Sequence, residues 1–267
     1  MAGIAEHERQ QEVLRLLDVD GRVSVADLVH RFAVTAVTIR KDLEVLERRH
    51  LLARVRGGAV SADGADEGAF EMRLRHGTQA KAAIARAAAA LVPDGAAIAL
   101  DCSTTCYHLA QELRGRRNLI VVTNGLRAAE LLSDSGVTVV LPGGTLRRSS
   151  WSVVGDFGDF VGSRGRLAMG FFGVRGLSRE HGLMELTVEE TTVKRRLAAA
   201  CNEVYALFDS SKVGRFALHS FAPPQRITGL YTDDGADPDA LAGFAEVDVA
   251  VHRVPVAHAH TTTGTSA

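Results

Sequence analysis

Three cysteines, Cys102, Cys106 and Cys201, are all that the chain carries. The number is odd and no CxxC pair occurs, so neither a disulfide framework nor a zinc ribbon is implied. Cys102 and Cys106 lie close to His108, yet a fourth metal ligand is missing and free cysteine is a common small core residue. No metal and no cofactor is therefore expected. Long apolar runs are missing too, and none reaches membrane-spanning length. The N-terminal MAGIAEHERQQEVLRLL has charges where a secretory signal needs its apolar core. A cytoplasmic protein with no membrane partner is expected. Net charge is also lacking: 31 basic and 32 acidic residues leave −1. No global basic field announces nucleic acid, and any such role must come from a local patch.

What is present is ordinary globular material, 46% hydrophobic and 24% charged over 267 residues. That length suits one large domain, or one small domain plus one of medium size. The first 60 residues read as helical. Val13, Leu14, Leu16 and Leu17 form one apolar face, bounded by Gly21. Ser24 and Asp27 resemble a capping pair ahead of Leu28, Val29 and Phe32. Ala33-Val34 makes a short break, and Thr35 is a plausible N-cap for a second helix. In that helix Ile39, Leu43 and Leu46 fall on one stripe. LLARVRGGAV then has strand-like character with a turn at Gly57-Gly58.

Two short helices, a tight break and a strand-like turn describe a winged DNA-binding unit. Thr38, Arg40 and Lys41 lie off the buried stripe, in the first turns of the helix that would enter the major groove. Threonine hydroxyls at a helix start, such as Thr35 and Thr38, suit phosphate oxygens. An arginine such as Arg40 can grip a guanine edge with two bonds, and Lys41 suits a phosphate as a point charge. Arg54 and Arg56, beside the glycine pair, extend the surface as a wing. Residues 35–60 hold six basic and three acidic residues, a local net charge of +3. The plain alternative is a helical hairpin whose charges form a solvated face.

Arg9, Val13 and Leu17, then Thr35 and TIRKDL (Thr38–Leu43), resemble the signature of the DeoR family of bacterial transcriptional regulators. RVRGGAV resembles that family's wing. The resemblance implies a winged helix-turn-helix over residues 7–62, with the helix-turn-helix proper at 24–43. It also implies binding to double-stranded operator DNA, usually as a repressor.

Residues 61–69, SADGADEGA, are small, acidic and polar, and a linker is expected over 63–76. Beyond it, short continuous apolar runs alternate with helical stretches: AAIAL, LIVV, VTVVL, AMGFFGV, VYALF, ITGLY and VDVAV. Continuous runs suit strands covered on both faces, and the alternation predicts an α/β unit with a largely parallel sheet. A helix and strand at 236–254 are expected to complete it, with a disordered tail at 255–267.

Ligands of such sheets bind beyond the strands' carboxyl ends. Those ends carry DCSTT, TNG, PGGTLRR and DSSKVG. Ser103, Thr104 and Thr105 offer hydroxyls and helix-start N–H groups for an anion. Gly143 and Gly144 allow close backbone approach. Arg147 and Lys212 can neutralise phosphate, and Asp101 and Asn124 can hold sugar hydroxyls. Taken singly, each loop is ordinary turn chemistry; four at neighbouring strand ends would converge on a phosphorylated polyol.

LDCSTT, VTNGL, LPGG, GVRG and DSSKVG resemble the DeoR-type sensor domain, over 77–235. That domain is similar to sugar-phosphate isomerases of the ribose-5-phosphate and glucosamine-6-phosphate kind. The fold class expected is therefore α/β: an N-terminal winged helix-turn-helix followed by a Rossmann-like, mostly parallel sensor domain. The resemblance implies a small-molecule effector, commonly a phosphorylated sugar, that shifts operator affinity; a homo-oligomer, dimer or tetramer, is expected because palindromic sites mirror two-fold proteins. Three residues depart from the family pattern: Ser103 where glycine is usual, Gly170 where aspartate is frequent, and Trp151 near the presumed rim.

An isomerase would need a positioned base, for which Asp101, Glu190 and Asp209 are candidates by placement. Ser211-Lys212 is a poor nucleophile pair, since adjacent loop residues seldom point together. The fused basic helix unit favours a regulator over an isomerase with an accessory module. A third reading, ranked behind these two, is a constitutive DNA-binding protein whose second domain serves only oligomerisation. No catalytic residue is expected.

Overall fold

Apolar spacing in the first 61 residues is resolved into a three-helix unit with a small sheet. The computed structural model describes residues 6–20, 22–48, 52–61, 70–155 and 166–256. Helix α1 (Glu6–Asp20) is followed by strand β1 (Arg22–Ser24), α2 (Val25–Phe32), α3 (Ala36–Arg48), β2 (Leu52–Val55) and β3 (Gly58–Ser61). Val13 and Leu17, Leu28 and Phe32, and Ile39, Leu43 and Leu46 turn inward from the three helices onto one core. Val23, Leu52 and Ala59 close it from the sheet, whose order is β1-β3-β2 with antiparallel pairs.

Ser24 caps α2, its Oγ accepting the Asp27 N–H at 3.0 Å. Ala33 ends that helix at φ 52°, ψ 38°, a left-handed conformation that costs a residue with a Cβ about 1 kcal/mol. That reversal turns the chain into α3, which Thr35 caps by accepting the Thr38 N–H at 3.2 Å. The sequence reading of these residues as helical misses β1. It also places the wing turn one residue late: Val55 pairs with Gly58, so Arg56 and Gly57 form the turn, with Gly57 at φ 87°. Gly58 is needed because a Cβ there would lie 2.0 Å from the Val23 carbonyl oxygen.

Within the expected linker, residues 70–75 form a helix, α4 (Phe70–Arg75), with Phe70 buried. Residues 63–69, Gly21, Arg49 and the tail from 257 onward lie outside the described residues. By internal contacts the chain divides into residues 1–76 with 148–150, and 77–147 with 151–267.

The second unit is built on a seven-stranded sheet of order β15-β14-β12-β9-β4-β5-β6, parallel throughout. Its strands are β4 (Ala97–Leu100), β5 (Ile120–Thr123), β6 (Thr138–Val140), β9 (Leu167–Phe172), β12 (Cys201–Leu207), β14 (Gly229–Asp233) and β15 (Ala250–Val254). Alternate residues feed opposite cores. Ile98, Leu100, Phe171 and Leu207 face α5 (Thr78–Ala89), α6 (Thr104–Leu113) and α7 (Leu126–Ser133). Ala99, Phe172, Val204 and Ala206 face α8 (Val188–Ala200) and α9 (Pro238–Ala245). Burial on both faces is why these strands read as unbroken apolar runs.

One such run is misplaced by the sequence reading: the last strand is 250–254, not 247–251. Val247 and Val249 instead close the end of α9 by donating to the Phe244 carbonyl, and Asp248 takes φ 59°. Two small antiparallel elements are absent from the sequence reading. They are the hairpin β7 (Thr145–Arg147)–β8 (Ser152–Val154), and the sheet of β10 (Gly176–Ser178), β11 (Gly182–Glu185) and β13 (His219–Ala222).

Candidate functional site

In the first unit, burial divides α3 into two faces. Ile39, Asp42, Leu43 and Leu46 are buried, while Val37, Arg40, Lys41, Glu44 and Arg48 are exposed. Asp42 sits inside although Arg40 and Lys41 directly precede it. Its carboxylate accepts from Arg9 Nε at 2.5 Å and Nη2 at 3.2 Å, and from Gln10 Nε2 at 3.2 Å. That bond holds the Arg9 guanidinium firmly protonated against the opposing pull of burial. The pair ties α1 to α3, so Arg40 and Lys41 project from a fixed helix. Thr35 and Thr38 bring their hydroxyl oxygens to 2.9 Å of each other at the helix start. Arg54 is engaged by Glu47, which accepts its backbone N–H at 3.1 Å and pairs with its guanidinium at 3.7 Å. Arg56 stands exposed in the wing turn.

In the second unit the chain order of the strands reverses between β4 and β9, the place where open parallel sheets form a crevice. Asp101 follows β4 there, fully buried. Its Oδ1 accepts the Ser103 N–H at 2.9 Å, and its Oδ2 accepts the Gly173 N–H at 2.8 Å and meets Lys194 Nζ at 3.0 Å. Ser103 caps α6, accepting the Cys106 N–H at 3.2 Å. The cap leaves the first-turn N–H groups of Thr104 and Thr105 at the positive end of the helix. Both threonines are themselves 4% exposed. Gly173 runs so close that a Cβ there would lie 2.4 Å from Ser103 Cβ.

Lys194 joins two carboxylates, reaching Glu185 Oε2 at 2.5 Å and donating to the Gly173 carbonyl at 2.9 Å. Burial disfavours its charge, but Asp101 and Glu185 outweigh burial and hold it well above the ordinary lysine range. Burial likewise opposes ionisation of Glu185, yet Lys194 and Arg175 bring its pKa down to about 2.

One turn earlier on α8, buried Glu190 collects four donors. Its Oε2 accepts from Asn124 Nδ2 at 3.3 Å and Cys102 Sγ at 3.4 Å. Its Oε1 accepts from Ser152 Oγ and faces Arg147 Nη1 at 3.6 Å. Asn124 also donates to the Val153 carbonyl at 3.3 Å, and its buried Oδ1 has no hydrogen-bond partner among the described residues. Thus Asp101 and Ser103 belong to one bonded group with Lys194 and Glu185, and Asn124 and Arg147 to a second around Glu190; the two groups adjoin where Cys102, bonded to Glu190, follows Asp101 in the chain.

Lys212 stands apart from those bonds. It lies in the short 3-10 turn Ser210–Lys212 after β12. Against the effect of burial, its charge and the Ser211 bonds hold Asp209 below the usual aspartate range. Gly143 and Gly144 are exposed on the segment before β7, Gly144 at φ 147°. Trp151 is taken up by Arg127, whose guanidinium sits 4.3 Å over the ring. Gly170 is inside β9, where a Cβ would meet Cys201 Sγ and the Phe172 ring at 2.6 Å. The two nearby cysteines diverge, Cys106 donating to the Phe171 carbonyl at 3.2 Å and Cys102 to Glu190. Sequence reasoning misses Glu185, Arg175 and Ser152. A lone carboxylate within the apolar GLMEL was the available signal for Glu185.

A winged helix-turn-helix joined to a parallel α/β unit with a polar crevice at its switch point defines a DNA-binding transcriptional regulator with a sensor domain. The families described as "DeoR-like helix-turn-helix domain" and "DeoR C terminal sensor domain" match residues 9–65 and 76–234. The chain belongs to the DeoR family. It is 34% identical over 246 residues to the HTH-type transcriptional regulator GolR of Listeria innocua serovar 6a, covering 91% of this chain and 97% of that one. It is 31% identical over 228 residues to the glycerol-3-phosphate regulon repressor of Escherichia coli K12, covering 85% and 90%. To the transcriptional repressor CsqR of the same strain it is 30% identical over 227 residues, covering 85% and 87%. Among solved structures, ribose 5 phosphate isomerase A from Neisseria gonorrhoeae aligns over 49% of this chain and 52% of that one. Its TM-score is 0.38 at 17% identity, too loose a likeness to bear on function.

Proposed function

We propose that this chain represses a carbohydrate-metabolism operon and is released from its operator by a phosphorylated sugar or a related metabolite. The observation that carries the DNA half is the two-faced α3. Its buried side is locked by the Asp42–Arg9 pair, and its first exposed turns present Arg40 and Lys41. Thr35 and Thr38 would hold phosphate at the helix start, Arg40 would read a base edge, and Lys41 and Arg56 would meet phosphates. Arg54, engaged by Glu47, would set the wing's position as much as touch DNA.

The crevice supports the effector half. The positive end of α6 at Thr104 and Thr105 suits a phosphate, with Arg147 and Lys212 as neutralising cations and Gly143 and Gly144 admitting close approach. Asn124 Oδ1, buried without a partner among the described residues, suits a hydroxyl donor. Named relatives repress a glycerol-3-phosphate regulon, which agrees with a phosphorylated ligand.

An isomerase is the reading set aside. Asp101 faces three donors and Glu190 four, and a carboxylate so committed is a poor proton shuttle. We place the protein in the cytoplasm with its DNA and expect a homo-oligomer, since palindromic sites mirror two-fold proteins. Fluorescence anisotropy of the full chain on its own upstream DNA, against scrambled DNA, tests the reading. Selective binding that a sugar phosphate reverses supports it. Equal binding to both DNAs, together with isomerase turnover, would replace it with the enzyme.

A further inference from the structure

The exposed face of α3 holds Val37, Arg40, Lys41 and Glu44, at the spacing that aligns side chains along one side of a helix. Val37 is 72% exposed, more than any other large hydrophobic residue among those described. It packs against no part of the first unit's core. A lone exposed valine elsewhere on a protein needs no explanation. This one stands in the first turn of α3, one turn before Arg40, where helix-turn-helix proteins touch base edges.

Once Arg40 and Lys41 engage DNA, Val37 is carried into the groove and loses its water. Valine can neither donate nor accept a hydrogen bond. Opposite a polar base edge it would bury that edge without compensation, which is costly. The C5-methyl of thymine is the apolar group that the major groove offers. Resting on α3 as the recognition helix, we infer that Val37 contacts a thymine methyl and fixes one A·T pair in each operator half-site. Arg40 and Lys41 then supply attraction and guanine or phosphate contact, while Val37 supplies a preference that neither cation can express.

Removing the methyl alone tests this. Full-length protein selects its preferred duplex from a random-sequence pool, and each thymine of the winner is replaced in turn by uracil. One thymine per half-site is expected to show an affinity loss of about fourfold, the worth of one methyl group kept from water. Val37→Ala, a truncation on the exposed face that leaves the core intact, is expected to lose that sensitivity at the same position. If the variant and the parent respond alike at every thymine, or no thymine responds, the assignment of Val37 is overturned. A pool that enriches no sequence would overturn the recognition-helix reading together with it.

Discussion

Arg40 and Asp42 are two residues apart in α3 and serve opposite faces. Replacing Arg40 with alanine is expected to cost about 1–3 kcal/mol of operator binding and to relax preference at one base pair. Lys41→Ala is expected to weaken all sequences alike and to lower the salt slope by about one. Binding isotherms at several salt concentrations separate the two, and unchanged affinity in both variants would mean that α3 is not the reading helix. Asp42→Ala acts on folding instead. It takes the carboxylate away from the buried Arg9 guanidinium, and a loss of about 3 kcal/mol in denaturant unfolding is expected. Much of this was legible residue by residue: the apolar stripe at 39, 43 and 46 implies which positions face out. The burial of Asp42 was not, because a carboxylate that follows two cations looks solvated until Arg9, 33 positions away, is folded beside it.

Between elements, the buried group of Lys194, Glu185 and Asp101 joins α8 and β11 to the loop after β4. Glu185 has its pKa lowered from the ordinary 4.5 to about 2. Its contribution to stability is therefore present above 4.5 and is lost as pH falls towards 2. Lys194 runs the other way: its raised pKa adds stability at neutral pH that disappears only in strong alkali. Glu185→Gln is expected to lower stability at neutral pH and to flatten its decline between pH 4.5 and 2, as read by urea unfolding at each pH. A variant with the parent's acid profile would show that Glu185 carries no such linkage. The elements themselves were unequally legible. The inner strands of the parallel sheet betray themselves because both faces are buried, while the half-exposed edge strand β15 was misplaced and β7, β8 and β10, three residues each, are too short to show alternation. The loops after β4 and β5 were readable as polar strand ends. Their convergence on Glu190 was not, since α8 comes 66 residues after Asn124.

The whole molecule carries a DNA-binding unit and a sensor unit within one chain, and on the proposed function ligand and operator exclude each other. Linkage requires the exclusion to be mutual: if effector lowers operator affinity by some factor, operator lowers effector affinity by the same factor. The direct measurement is calorimetric titration of the full chain with the sugar phosphate that releases it from DNA, once alone and once saturated with operator duplex. The account predicts weaker effector binding on the operator, by the factor found in the release assay. Identical effector affinity in the two titrations would contradict it.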